Sequence, residues 1–237
     1  ETAVWGIAFN CSTKRGANKT LRDVLLKTAK FECVDTPEFA TGKADRIIPG
    51  NYSIYESRNA DFAAEKLTYK YEPEKAAKLL NALLKKHKVK ALDLTFAVPS
   101  ELTTAATEMV NNWDILLSSK LKIKIVPYEK EKLQEFMATS HYDMAIMPVT
   151  PQKQTALSII EEFSEAPCNY NNKKLYSSLY QVKVYDTDVF AVYNNAEAAI
   201  IDSAIFFPLF YTGRILCFAD GVKGIYTAEK GNLIYFH

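Results

Sequence analysis

Three histidines, His87, His141 and His237, stand singly along the 237-residue chain, and none has a second ligand at metal-binding spacing. A tetrahedral metal site needs such spacing, because paired ligands must reach one ion from a shared turn or helix face. The four cysteines, Cys11, Cys33, Cys168 and Cys217, form no Cys-x-x-Cys pair. Four cysteines permit three full pairings, among which sequence does not choose, and free, mostly buried thiols are the expectation. Glu161, Glu162 and Glu165 bring carboxylates together. Neighbouring acids can share acid and base work, but this spacing also describes one solvated helix face. No glycine-rich dinucleotide fingerprint, phosphate loop closing on Gly-Lys-Ser/Thr, or Gly-x-Ser-x-Gly turn occurs. No compact catalytic set assembles, so the expectation is a protein without covalent catalysis, metal or cofactor.

Residues suited to contacting a ligand remain. The stretch His141-Tyr-Asp-Met-Ala-Ile-Met-Pro-Val-Thr-Pro151 carries a short apolar run into two closely spaced prolines. Proline removes a backbone donor and holds its neighbours extended. The expected structure is a strand over Tyr142–Met147 that the prolines stop, followed by a rigid loop. A second proline-broken apolar run, Ala204–Tyr211, reads as an edge strand or a bulged one. Tyr211 at its end offers a flat ring and a hydroxyl, which suit a pocket; Phe210 beside it is expected to pack in the core.

These residues need a framework, and the composition supplies one. Apolar residues make up 48% and charged residues 24%, which describes a folded chain able to bury a core. Its 29 basic and 28 acidic residues nearly cancel. That balance gives no footprint for nucleic acid, and the cluster Lys85, Lys86, Lys88 and Lys90 suits a helix C-terminus. No apolar run reaches the roughly 18 residues that span a bilayer. The chain opens at Glu1 without methionine or a signal peptide, so the expectation is a processed chain or a piece of something longer.

Periodicity divides the chain into elements. Val4–Asn10 reads as a strand, with Asn18 capping a helix striped by Leu21, Leu25 and Ala29. The pattern dissolves from Val34 to Tyr71, a length at which a loop is unusual. Pro73 opens the clearest helix, with Ala76, Leu79, Leu80, Leu83 and Leu84 on one face. Alternation over Leu92–Val98 predicts a strand, and Ser100 is placed to cap a helix bearing Ala106, Met109, Val110, Trp113, Leu116 and Leu117. A strand over Leu121–Ile125, a short helix marked by Leu133, Phe136 and Met137, and the Tyr142 strand follow. Helices over Thr155–Phe163, Leu175–Val182 and Val189–Ile201, a turn at Gly221–Tyr226 and a final strand over Leu233–Phe236 complete the chain. Strands alternating with helices predict parallel crossovers in an α/β sheet, and ligands bind outside the carboxyl ends of such strands. Pro148–Pro151 lies at one such end.

The order of these features resembles a known family. Tyr71-Glu-Pro-Glu-Lys-Ala-Ala-Lys-Leu-Leu80 precedes Leu-Asp-Leu-Thr-Phe-Ala-Val-Pro-Ser, then Leu-Lys-Ile-Lys-Ile-Val-Pro and Tyr-Asp-Met-Ala-Ile-Met. Ala196-Glu-Ala-Ala-Ile-Ile-Asp-Ser-Ala, Pro208-Leu-Phe-Tyr211 and Val222-Lys-Gly-Ile follow, and Ile7-Ala-Phe-Asn with Leu21-Arg-Asp-Val-Leu stands at the start. The series resembles the second half of extracellular solute-binding family 5, the oligopeptide and dipeptide binders of ABC importers. The resemblance rests on order and spacing over nearly the whole chain.

The resemblance implies a periplasmic-binding-protein-like (type II) single lobe, α/β with a mixed sheet and flanking helices. Residues 1–237 would be the C-terminal lobe of a two-lobed binder whose N-terminal lobe is absent, with 204–237 returning toward the hinge. It further implies a peptide or peptide-like solute held in an interlobe cleft, an ABC permease as partner, and an extracytoplasmic location, periplasmic or as a surface lipoprotein. The expected rim is Asn10, Thr150 and Gln152 as polar anchors, Met147 and Val149 as apolar lining, and Tyr211 for stacking and a hydroxyl contact. The family's Gly-Trp pair after the Tyr-Asp strand is replaced by Pro148-Val149. Gln152 stands near the position of the aspartate that meets a peptide's amino terminus, and an amide offers no ionic partner to ammonium. Near the start, Arg22 keeps the family's arginine, while Val24 replaces alanine and Lys30 an aspartate. The ligand alternatives are a blocked or modified peptide, a sugar or a metal chelate; the functional alternative is a ligand-sensing regulatory domain of the same fold.

Overall fold

A computed structural model describes residues 3–29, 35–54, 57–58, 69–181, 189–213, 225–227 and 234–236. Val182, Gly221–Gly224 and Leu233 of the expected elements, and Cys33 and Cys217, lie outside these residues. Ile225 and Tyr226, expected in a turn, are instead strand, because they pair antiparallel with Phe236 and Tyr235. The strands are β1 (Ala3–Phe9), β2 (Gly42–Lys43), β3 (Ser53–Ile54), β4 (Ser57–Arg58), β5 (Leu92–Pro99), β6 (Leu121–Tyr128), β7 (Met144–Val149), β8 (Phe206–Thr212), β9 (Ile225–Thr227) and β10 (Ile234–Phe236). The helices are α1 (Lys19–Thr28), α2 (Pro73–His87), α3 (Thr103–Leu116), α4 (Leu133–Thr139), α5 (Ala156–Glu161), α6 (Lys173–Gln181) and α7 (Val189–Asp202). No helix of the described residues is long and apolar enough to cross a membrane.

Local chemistry accounts for most of these boundaries. The Asn18 side chain accepts from the Leu21 amide at the start of α1, and Thr155 does the same for Ser158 at the start of α5. Both satisfy a donor that the first helical turn leaves orphaned. Pro73 opens α2, and Lys88 closes it in the left-handed region with φ 55°. Ser100 departs from expectation. It opens a short 3₁₀ turn, and its hydroxyl faces Tyr128 O and the Glu129 carboxylate rather than the amides of α3.

Six strands form one mixed sheet in the order β2-β8-β1-β7-β5-β6. β5 pairs parallel with β6 from Leu92↔Leu121 to Pro99↔Tyr128, and parallel with β7 at Phe96↔Met144 and Ala97↔Ala145. β1 runs antiparallel to β7 and to β8. The expected parallel crossovers are therefore present in β5-α3-β6-α4-β7, and the chain's two ends complete the sheet. The long irregular stretch after α1 contributes β2 to the sheet and the small β3–β4 pair.

Side chains alternate across the strands, and each face of the sheet carries its own core. Trp5, Ile7, Phe9, Phe96, Met144, Ile146 and Phe210 pack on one side with residues of α1, α2 and α3. There the Trp113 indole N–H donates to Leu25 O at 3.0 Å, tying α3 to α1. Val4, Ala8, Val149, Phe206 and Tyr211 pack on the other side with Ile47, Ile48, Tyr52 and residues of α5, α6 and α7. The result is a three-layer α/β/α body.

The proline in the second apolar run is accommodated by a bulge. Trp5 opposes Phe210 and Gly6 opposes Pro208, so Leu209 has no partner across β1. β8 is not an edge throughout, because β2 covers it at Phe210 and Tyr211. Gly6 permits the close approach: a Cβ there would lie 2.2 Å from Phe207 O.

Candidate functional site

β7 begins two residues later than expected and runs through Pro148 rather than stopping before it. The reason is its pairing. Both neighbours bond it at Met144 and Ala145, but beyond Ala145 only β1 continues alongside, to Val4↔Val149. A strand bonded on one side tolerates a residue without an N–H. The carboxyl end of β7 therefore leaves the sheet flanked on one side, with Thr150 and Gln152 exposed beyond it.

A cavity of about 220 Å³ opens at this end. Met147, Pro148, Val149 and Thr150 form its floor, Leu133 and Gln134 of α4 one wall, and Glu162, Phe163 and Ala166–Cys168 the other, with Ala8 below. Ala145, Met147 and Val149 share a face by strand alternation, and Ala8 lies on it as the partner of Ala145. The lining is mixed: thioether, aliphatic and aromatic surface with an amide, a hydroxyl and one carboxylate. Such a lining binds and orients a small ligand. Burial, followed by the charges of Glu165 and Glu161, raises the pKa of Glu162. Among the described residues no group of three metal-ligating side chains forms.

The expected rim residues divide. Met147, Val149 and Thr150 meet in this cavity, and Gln152 is exposed two residues past it. Tyr211 lies on the same sheet face across β1, as the partner of Val4, about 10 Å from Val149 at two strand spacings. It is buried, and its hydroxyl donates to Arg46 O at 2.8 Å. Asn10 lies at the opposite end of the strands. Its amide N–H donates to Asp143 O at 2.9 Å, six residues before Val149 and so about 20 Å away at strand rise. The Asn10 side chain donates to Tyr142 O and accepts from the Ser12 amide. It builds the β1–α1 turn, where Thr13 Oγ1 also donates to Asp143 Oδ1.

Gln134, Glu162, Phe163 and Ala166–Cys168 were not legible as one site. They come from the start of α4, the turn after α5 and the loop beyond it. The signal for Glu162 was its place in the Glu161–Glu165 cluster, where solvent exposure is the ordinary reading.

No family model matches the chain, and no curated protein matches it. Solved structures do share its fold. Haemophilus influenzae OppA, in complex with the peptide RPPGFSPFR, superposes with a TM-score of 0.67 at 16% identity, covering 88% of this chain and 42% of that one. A dipeptide-binding protein from Pseudoalteromonas sp. SM9913, in complex with Met-Leu, gives 0.68 at 17% identity, covering 99% and 47%. Brucella suis NikA, in complex with Fe(III)-EDTA, gives 0.59 at 13% identity, covering 89% and 45%. The chain thus spans less than half the length of the proteins it resembles. A three-layer body with a mixed sheet, superposing on these structures over most of its length, has a periplasmic-binding-protein-like α/β fold.

Proposed function

We propose that this chain is the C-terminal lobe of an ABC-importer solute-binding protein, taking a peptide or peptide-like solute between itself and an N-terminal lobe. The observation that carries the reading is the cavity at the carboxyl end of β7, where Met147, Val149 and Thr150 meet Gln134 and Glu162. Its 220 Å³ falls below the roughly 300–1,000 Å³ of a complete small-molecule pocket. Half a cleft has this size, and a facing lobe supplies the other half. Thr150 and Gln152 anchor polar groups of the solute, Met147 and Val149 give apolar contact, and the whole protein works outside the cytoplasm with a membrane permease. Of residues 204–237, which this reading assigns to the return toward the hinge, β8 lies within the sheet between β2 and β1, and 214–224, 228–233 and 237 lie outside the described residues.

A non-peptide solute is the second reading. Gln152 offers no charge for a peptide's amino terminus, and the fold also occurs in NikA with Fe(III)-EDTA bound. Mass spectrometry of material co-purifying with the protein carrying both lobes decides between them. Short peptides support the first reading; a metal chelate or sugar supports the second. A protein that purifies empty and ignores peptide, sugar and chelate libraries contradicts both.

A further inference from the structure

Cys11 and Cys168 are free thiols, half-buried and buried respectively, on segments far apart in sequence that the fold presses together. The Cys11 amide donates to Pro167 O at 2.9 Å. With the planar peptide joining Pro167 O to the Cys168 Cα and one N–Cα bond on the Cys11 side, the two Cα atoms lie within about 7 Å of each other, close to the roughly 4.4–6.8 Å that disulfides span. A second tie fixes the Cys168 side chain. Its Sγ lies 3.8 Å from Ile205 O, the carbonyl that also accepts from the Phe9 amide two residues before Cys11. Both thiols therefore sit against the end of β1, and each lies within electrostatic range of the other.

Arg22 completes the cluster. It is buried, donates to Gly16 O at 2.8 Å and Ser203 O at 2.9 Å, and places Nη1 3.9 Å from Cys11 Sγ. Its Nε has no hydrogen-bond partner, and no carboxylate pairs with it among the described residues. A buried cation without a counter-ion favours a thiolate beside it. Burial raises both thiol pKa values and Arg22 opposes that rise at each.

We propose that Cys11 and Cys168 are a disulfide site that closes under oxidising conditions and staples the β1–α1 turn to the cavity wall formed by Ala166, Pro167 and Cys168. The oxidant is a small-molecule disulfide. The Cys11 thiolate, the more exposed of the two, attacks it, forming a mixed disulfide and releasing one thiolate. The Cys168 thiolate then attacks the Cys11 sulfur, forms the Cys11–Cys168 bond and releases the second thiolate. The two cysteines lose two protons and two electrons, and the reagent takes up the electrons. Arg22, 3.9 Å from Cys11 Sγ, favours the attacking Cys11 thiolate, and the bond fixes one wall of the cavity whatever solute the cavity holds.

Glutathione disulfide tests the site. After oxidation, alkylation of remaining thiols and tryptic digestion without reductant, the peptide Glu1–Lys14 is expected to be linked to Gln154–Lys173. The link vanishes on reduction, and the oxidised protein melts about 5 °C or more above the reduced one. Cys11→Ser and Cys168→Ser each abolish the link. Recovery of Cys11 and Cys168 alkylated on separate peptides after exhaustive oxidation overturns the proposal, as does linkage of either to Cys33 or Cys217. The peptide mapping needs only the unaltered protein, so the test stands even where a variant fails to fold.

Discussion

Glu197 accepts hydrogen bonds from Arg46 Nη2 at 2.6 Å, the Ile47 amide at 2.5 Å and the Ile48 amide at 2.9 Å while wholly buried. Within Ala196-Glu-Ala-Ala-Ile it reads as an ordinary helical glutamate, because its partners lie some 150 residues earlier. Removing it takes the carboxylate from buried Arg46, leaving that side chain the neutral Asn194 Oδ1, and takes the same acceptor from the Ile47 and Ile48 amides. Glu197→Ala is expected to cost about 3–5 kcal/mol, measured by chemical denaturation; a loss within about 0.5 kcal/mol would contradict this placement. Glu162 makes the opposite contribution. Its folded-state pKa is raised, first by burial and then by Glu165 and Glu161, so the folded protein holds this proton more tightly than the unfolded chain. Stability attributable to it is therefore full below the unfolded-chain pKa and is lost as pH rises through the folded one. Glu162→Gln is expected to raise the melting temperature at pH 7 relative to the parent and to lose that advantage near pH 4. An equal shift at both pH values would contradict the assignment.

At the scale of elements, the sequence was readable wherever local physics decided the outcome. Asn18 caps as its type suggests, Pro73 opens α2, and alternation over Leu92–Val98 is a strand. It was misleading wherever a neighbour decided. Ser100 has a capping residue's chemistry but turns to Tyr128 and Glu129 across the β5–β6 edge. Pro148 has a strand breaker's chemistry but sits inside β7, where β5 has already stopped pairing. The short β2–β4 strands had no period to betray them. Thr155 joins the two lessons, since its hydroxyl caps the helix that presents Glu162 and Phe163 to the cavity. Thr155→Ala is expected to cost about 1 kcal/mol and to speed amide exchange over residues 156–164. Unchanged exchange there would show that the cap does not hold the wall.

At the scale of the whole molecule, the three layers explain why only part of the site could be anticipated. Met147, Val149 and Thr150 lie within four consecutive residues, and the rule that ligands meet the carboxyl ends of parallel strands is what singled out this stretch in the sequence. The facing walls arrive from α4 and from the loop that carries Pro167, and only the folded sheet brings them opposite. Asn10 is not among the residues lining this cavity, although the Cys11 amide beside it bonds Pro167 O of the cavity wall, and its distance from Val149 has a topological reason. β1 runs antiparallel to β7, so the end of one strand is level with the beginning of the other. Tyr211 shares the sheet face of Val149 across β1, but its hydroxyl, expected to meet a ligand, donates to the Arg46 backbone instead. The proposed function requires that the carboxyl end of β7 face the solute. Hydrogen exchange on the protein carrying both lobes, loaded with its co-purifying solute and then stripped of it, tests this directly. Slower exchange in the loaded state at the amides of Met147, Val149, Thr150 and Gln152 and over residues 162–168 is the predicted result. Protection confined to the Asn10–Gly16 turn, with the β7 end unchanged, would contradict it.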